Sequence, residues 1–497
     1  MLEITKKDII SDILGAIRHY PNNNAFVIED VHYTYAQLGC KIGGIMSLLS
    51  EIQEERIGIV AENSIEAYAS ILATLMSGRT YVILHPSYPE SHNLKIADLS
   101  GLRTILYTGN FGLDAFRKKG IVMIDSSVSR EQSLPEMLSS ANPETNAYII
   151  FTSGSTNEPK GVPITRANLN AFYSAYAQLG WKLDEHDRML QMFELTFDVS
   201  VVSLLYPLTL GACIYTVGYR DVKHIKVFDL LETYELTFAA VTPSLLHLLS
   251  PYFSEISLPA LRYLVVTAEA SQVELLEQFR ASAPNAEFVN LYGPTEATIY
   301  CTYYKVPSKE SKHYNGMVAV GRPFNGIEAL ITDEDGTPLP SGKMGELWIS
   351  GDQVMKGYMD DPEKSAAALV QLPNGKTYYK TGDLCILDSD GDIIYCGRKD
   401  YQVKIQGFRI ELSEIEYTAK QFFENSCNVV VIPAMHEGIN SELHMVIETS
   451  KLEESELQGY LKEKLPHYML PNRIHCIPQF PVSNSNKIDR KKIAQLI

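Results

Sequence analysis

AYIIFTSGSTNEPKG, residues 147–161, is the stretch on which the reading of the fold turns. The apolar, β-rich run AYIIF (147–151) leads into TSGSTNEPKG (152–161), a loop of hydroxyls, glycine and one lysine. Backbone N–H groups, side-chain O–H donors and a cation placed directly after a strand suit the wrapping of a polyphosphate. The loop is neither a Walker A sequence, which needs GxxxxGK[ST], nor a Rossmann GxGxxG fingerprint, so the common nucleotide-binding folds are not implied. A serine and glycine surface turn is the plain alternative for the loop taken alone.

Outward from this run, similar short β-rich segments recur at 56–60, 80–84, 104–107, 121–124, 238–241 and 261–267, with helical patterns between them. That alternation predicts βαβ units and mostly parallel sheets over about the first 320 residues. From Gly321 onward, short strands are separated by turn signals such as DEDG (333–336) and DSDGD (388–392), which predicts an antiparallel β subdomain. After GRKD (397–400) come strands near 428–432 and 444–447 and helices near 411–423 and 454–465, the pattern of a small α+β domain. The predicted class is α/β: a large N-terminal region, 1–399, with two mostly parallel sheets, helices and a β subdomain, followed by a small C-terminal α+β domain, 400–497.

The 497-residue length exceeds what one hydrophobic core usually serves, in keeping with several domains. A formal charge of -17 argues against nucleic acid and anionic membranes as partners, since both are gathered by a basic field. An anionic ligand must therefore meet a local positive site. The uncharged stretch 199–218 is long enough to span a bilayer, but Pro207 and Gly211 divide it into helix-sized and strand-sized pieces, so a buried helix, turn and strand is expected. The seven cysteines are scattered, with no CxxC pair, and read as reduced and mostly buried. The N-terminus has acidic residues early and no sustained apolar core, unlike a secretion signal, and a cytoplasmic location is expected.

A second element, NLYGPTEATI (290–299), packs an aromatic ring, a Gly-Pro turn and a carboxylate into one loop, a combination that can stack a base and hold a metal. Further along stand FDVS (197–200), GELWISG (345–351), YKTGDL (379–384), GRKDYQVKIQGFRIELSEIE (397–416), LPHYMLP (465–471) and NSNKIDR (484–490). In this order the motifs resemble those of the adenylate-forming superfamily, specifically the amino-acid-activating adenylation domains of nonribosomal peptide synthetase type. The resemblance runs from one end of the chain to the other.

It implies ATP and Mg2+ as cofactors and a phosphopantetheine-bearing carrier protein as partner in trans. Thr152, Ser153, Ser155, Thr156 and Lys160 would lie along the ATP phosphates, where donors and a cation offset the charge of departing pyrophosphate. Tyr292 resembles the adenine-stacking aromatic, with Asn290 beside the base. Gly293, Thr295 and Glu296 match positions near the phosphates, Glu296 and Thr156 near the magnesium. Asp383 resembles the carboxylate that accepts both ribose hydroxyls, and Arg398 an added ribose contact. Lys487 resembles the mobile lysine that bridges substrate carboxylate and nucleotide, and Asp400 the hinge about which the small mobile domain turns. Lys404 and Gly407 would face the active site for the second half-reaction.

Asp198 separates subfamilies: a carboxylate buried beside an apolar run favours a cation, which the α-ammonium of an amino acid supplies. Helix capping is its alternative role. Gap-free extension of the resemblance lines the rest of the pocket with Val199, Val202, Ser244, Val265, Thr267, Leu291, Ile299 and Tyr300. That lining is neutral, which favours a small or medium uncharged amino acid such as Ala, Ser, Thr, Cys, Val or Pro. The sequence departs from the family pattern at Asn157 and Asn486, which replace glycines, at Gln406, which replaces an arginine, and at His85, which replaces an aspartate. With no appended domain in view, a stand-alone ligase is expected, similar in layout to the D-alanine-D-alanyl carrier protein ligases. An acyl- or aryl-CoA ligase of the same superfamily and a non-catalytic binding protein of the same fold are the rival readings.

Overall fold

The computed structural model describes residues 8–109, 111–138, 141–153, 159–400, 402–436, 439–450, 452–481 and 488–497. The chain divides into two compact units: Met1–Pro86, Ala97–Ile150 and Gly161–Lys399 form the first, and Ser87–Ile96, Phe151–Lys160 and Asp400–Ile497 the second.

In the first unit the β-branched runs pair in parallel. Arg56–Val60 lies between Thr80–Leu84 and Thr104–Tyr107, with Arg56 opposite Thr80 and Ile57 opposite Thr104. Both faces of these strands are covered, which is why the runs are continuously apolar and do not alternate. They belong to a six-stranded sheet in the order Val122–Asp125, Thr104–Tyr107, Arg56–Val60, Thr80–Leu84, Asn146–Thr152, Lys160–Thr165. A nine-stranded sheet has Glu287–Tyr292, Tyr263–Thr267, Phe238–Val241, Arg188–Gln191, Cys213–Thr216 and Asn24–Ile28 as its parallel interior. Antiparallel strands close its two edges. Helix Ile65–Met76 has every residue but Glu66 buried, and its Ser64 cap accepts the N–H of Ala67 at 3.2 Å.

The stretch 199–218 forms helix Val199–Leu210 and strand Cys213–Thr216, and among the described residues no helix is long and apolar enough to cross a membrane. The helix runs through Pro207 and stops at Gly211, whose φ of 81° ends it. Glycine is therefore the break here, and proline is not. Tight burial of the apolar helix outweighs the one backbone donor that proline removes.

Ile327–Thr332, Met344–Gly351, Thr377–Leu387, Leu369–Gln371 and Ile393–Arg398 form the expected antiparallel sheet. In the second unit, Gln402–Ile405 and Phe408–Glu411 make a hairpin whose turn residues Gln406 and Gly407 both have positive φ, 52° and 85°. A two-residue turn matched to strand twist needs that geometry at both positions. Helix Leu412–Phe422 packs on Val429–His436, an edge strand of the three-stranded sheet it forms with Ile439–Glu448 and Arg473–Ile477. There Arg490 Nη2 donates to Glu416 Oε2 at 2.7 Å, lowering a carboxyl that burial pushes up.

None of the seven cysteines forms a disulfide, and only Cys213, Cys301 and Cys385 are buried. The expectation of mostly buried thiols is corrected accordingly: Cys476 is exposed because it lies on Arg473–Ile477, a strand only partly covered.

Candidate active site

Tyr292 ends strand Glu287–Tyr292, while Asp383 and Arg398 stand opposite one another on the antiparallel strands Thr377–Leu387 and Ile393–Arg398. The Tyr292 hydroxyl donates to Asp383 Oδ2, and Arg398 Nη1 donates to Asp383 Oδ1 at 3.0 Å and to the Thr381 carbonyl at 2.9 Å. Burial first, then the Asp383 charge, pushes the Tyr292 phenol well above its ordinary range, so it stays protonated and serves as a donor. Asp383 is 5% exposed, a carboxylate held by a phenol and a guanidinium. Asn290, in the same strand as Tyr292, donates its amide to the Ala319 carbonyl at 3.0 Å.

After Gly293 the chain makes the turn Thr295–Ala297 and then places two β-branched residues, Thr298 and Ile299, at φ of 56° and 72°. Each such residue costs about 1–3 kcal/mol, so the surroundings must hold them there. Gln353 does this: its side-chain amide donates to the carbonyls of Tyr300 at 2.8 Å and Ala297 at 3.3 Å, and its backbone carbonyl accepts from Thr298 Oγ1 at 2.6 Å. Met355 N–H donates to the Glu296 carbonyl at 2.8 Å, and the Tyr358 hydroxyl to Glu296 Oε1 at 2.8 Å. Glu296 is fully buried at 0% exposure.

The positions expected to line the pocket all fall in the first unit. Val265 and Thr267 share one face of Tyr263–Thr267, and Leu291 stands opposite Thr267 in the neighbouring strand. Val199, Val202, Val265, Leu291, Ile299 and Tyr300 belong to one buried apolar cluster. Asp198 immediately precedes helix Val199–Leu210, is 8% exposed, and makes no side-chain capping bond. Its capping alternative is thereby removed. Burial above all, and then Asp198, raises the phenols of Tyr81 and Tyr300, and Asp198 adds to the same effect at Tyr148. Tyr81 and Tyr148 stand opposite one another on neighbouring strands of the six-stranded sheet, and Tyr300 follows strand Glu287–Tyr292 of the nine-stranded one. Ser244 leaves the pocket wall less neutral than expected: its N–H and hydroxyl donate to the two oxygens of Glu269 at 3.0 and 2.9 Å.

Thr152, Ser153, Lys160, Asp400, Lys404 and Gly407 fall in the second unit. The Thr152 hydroxyl is buried without a hydrogen-bond partner, and Ser153 donates to the Arg409 carbonyl at 3.0 Å and accepts from Glu411 N–H at 3.2 Å. Asp400 Oδ1 accepts from Gln402 N–H at 3.2 Å, and Lys404 pairs in register with Arg409. Ser155, Thr156, Asn157, Asn486 and Lys487 lie outside the described residues. Gln353, Tyr358 and Glu269 carried no motif that marked them, and their contacts span 25 residues or more of chain.

The donor set suits a hard cation. Among the described residues no group of three or more His, Cys, Asp or Glu could hold a metal ion. Magnesium commonly takes one or two carboxylates, waters and substrate phosphates, so the buried, oriented Glu296 fits it without such a cluster.

A family model described as AMP-binding enzyme matches residues 15–359. Zwittermicin A synthase ZmaJ of Bacillus cereus is 34% identical, over 96% of this chain and 92% of its own. Tyrocidine synthase 3 of Brevibacillus parabrevis is 30% identical over 96% of this chain, which spans only 7% of that protein. A crystal structure of the Vibrio cholerae adenylation domain AlmE in complex with glycyl-adenosine-5'-phosphate superimposes with a TM-score of 0.87 at 26% identity, covering 98% of this chain and 97% of that one.

Proposed function

The chain belongs to the AMP-binding enzymes, as an adenylate-forming ligase of the nonribosomal peptide synthetase type that uses ATP, and from that premise we propose that it activates a small or medium uncharged amino acid for a carrier protein. In the first half-reaction a substrate carboxylate oxygen attacks the α-phosphorus, the bond to the β-phosphate bridge breaks, and pyrophosphate leaves. In the second, the sulfur of a phosphopantetheine thiol attacks the acyl carbon, its proton passes to solvent, and AMP leaves.

The observation that carries the amino-acid reading is the buried Asp198 carboxylate, beside the pocket positions and not engaged in capping its helix. An α-ammonium docked against it gains a charge-assisted hydrogen bond in a site of low polarity. Arg398 already balances Asp383, so that carboxylate suits neutral ribose hydroxyls. Tyr292 supplies a buried ring for the base. Glu296 would hold a magnesium ion, which supplies charge neutralisation at the phosphates. Thr152, Ser153, Ser155, Thr156 and Lys160 would receive the phosphates, and Lys487 would meet the reacting carboxylate. The boundary at Asp400 matches a hinge for a lid carrying Lys404 and Gly407.

Amino-acid-dependent exchange of labelled pyrophosphate into ATP, measured across the proteinogenic amino acids, D-alanine, and several fatty and aryl acids, tests this reading. Exchange confined to small or medium neutral amino acids is expected. Exchange with fatty or aryl acids alone would establish the CoA-ligase alternative, and none with any acid the binding-protein one.

A further inference from the structure

The loop that delivers Asp198 carries another carboxylate, Glu194, and its surroundings are ionic. Glu194 Oε2 lies 3.7 Å from His85 Nε2, their side chains 8% and 2% exposed. His85 directly follows Thr80–Leu84 of the six-stranded sheet, and Glu194 lies just beyond Arg188–Gln191 of the nine-stranded sheet, so the pair joins the carboxyl ends of strands from both sheets. Lys223, at the start of helix Lys223–Thr233, is a third member: burial lowers its ammonium and the Glu194 charge raises it again. The Tyr219 ring meets His85 edge-on at 5.2 Å, and its hydroxyl approaches Glu62 at 3.5 Å. Together these residues line one small cavity with Asn63, whose Nδ2 is buried without a partner.

The backbone links this cavity to the amino-acid pocket. Phe197 N–H donates to the Glu194 carbonyl at 2.9 Å, closing the turn that ends at Asp198, and the Asp198 carbonyl accepts Val201 N–H at 2.9 Å as the helix begins. One end of the turn is therefore anchored by the Glu194 side chain, and the other presents the Asp198 carboxylate.

We propose that Glu194, beside His85 and in one cavity with Lys223, is a positioning residue that fixes the Asp198 carboxylate for the substrate's α-ammonium. It acts through Asp198 and so rests on the amino-acid reading above. A displacement of about 1 Å at a binding group costs on the order of a hundredfold in rate. Here the loss falls on the amino acid, because the Asp383 and Arg398 contacts belong to other strands.

The test uses the full chain, pyrophosphate exchange with separate KM values for amino acid and ATP, and thermal melting for each variant. Glu194→Gln is expected to raise the amino-acid KM at least tenfold while the ATP KM stays within about twofold, and His85→Gln to do the same to a smaller extent. The double variant should be no worse than Glu194→Gln alone, since both changes break one contact. If Glu194→Gln does not fold, Glu194→Asp, which keeps the charge and shortens the reach, should show the same selective rise. An unchanged amino-acid KM in a folded variant, or an equal rise for ATP, overturns the positioning role. Asp198→Asn separates the two levels: a raised amino-acid KM there beside an unchanged one at Glu194 overturns this proposal alone, and an unchanged KM at Asp198→Asn overturns the Asp198 reading itself.

Discussion

Gly293→Ala should disable the enzyme although it adds one methyl group. A Cβ on Gly293 would lie 2.4 Å from the Ile299 carbonyl oxygen and 2.6 Å from the Tyr300 Cα. Both are backbone atoms, so no side-chain rotation relieves the contact, and ordinary van der Waals separation requires the two segments to part by about 1 Å. Where nothing obstructs it, a glycine-to-alanine change at a compatible φ stabilises by about 0.4–1 kcal/mol through the unfolded chain. Overpacking costs about 1–3 kcal/mol, so the net change in stability is destabilising but modest. The effect on chemistry is larger, because the parted segments carry Tyr292 and Glu296 on one side and the pocket residues Ile299 and Tyr300 on the other. A 1 Å error at such groups costs about 10²-fold. Pyrophosphate exchange should therefore show kcat/KM falling by about a hundredfold for both ATP and the amino acid, with a melting temperature only a few degrees lower. Gly15→Ala is the control. Gly15 is exposed within helix Ile9–His19 and has nothing within 4 Å of its Cβ position. That change should stabilise by about 0.5–1 kcal/mol with unchanged rate. Wild-type kcat/KM in Gly293→Ala would refute the steric reasoning, and so would an equal loss in Gly15→Ala.

Gln353→Ala leaves the buried carbonyls of Ala297 and Tyr300 short of a donor at about 1–3 kcal/mol each; thermal melting should report a clear drop, and unchanged melting would show that the turn holds itself. Asp383→Asn should raise the ATP KM by about 10–100-fold, the equivalent of a charge-assisted hydrogen bond at about 1.5–3 kcal/mol, and leave the amino-acid KM alone; steady-state exchange kinetics decide it. Burial, and then Lys95, hold the His92 imidazole down to about 4. A histidine lowered below its ordinary 6.5 contributes stability that is whole above pH 6.5 and is lost as pH falls toward 4. His92→Gln should therefore move the acid-unfolding midpoint, followed by circular dichroism, to lower pH; an unmoved midpoint would refute the buried neutral histidine.

The parallel sheets were legible in the sequence because strands covered on both faces must be apolar along nearly their whole length, as 57–60, 81–84, 147–151 and 238–241 are. The helix, turn and strand of 199–218 were legible from Gly211; Pro207 is no break because the rule against proline in helices concerns an isolated helix, whereas this one is packed along nearly its whole length. Tyr292, Asp383 and Asp198 were singled out by motifs, each in a short stretch whose residue types suit one task, and the structure buries all three. Gln353 and Glu269 were not. Both hold another segment in place, and a side-chain amide or carboxylate doing so at a distance of 53 or 25 residues leaves no local pattern.

Asp198 and Asp383 illustrate how neighbours would assign different work to chemically identical buried groups. Asp383 is 5% exposed and Asp198 is 8% exposed, so solvent does not distinguish them. Their neighbours do. Arg398 faces Asp383 across a strand pair and the Tyr292 hydroxyl donates to its other oxygen, so its charge is balanced and its remaining lone pairs favour neutral donors. Burial first, with the Asp198 charge adding to it, keeps the phenols of Tyr81, Tyr148 and Tyr300 protonated. Phenols kept neutral in this way add no charge around the carboxylate, so an arriving ammonium gains from the low polarity of the site. Exchanging the environments, with a guanidinium beside Asp198 and phenols alone around Asp383, would exchange the ligands each could hold, although the sequence at both aspartates stayed the same.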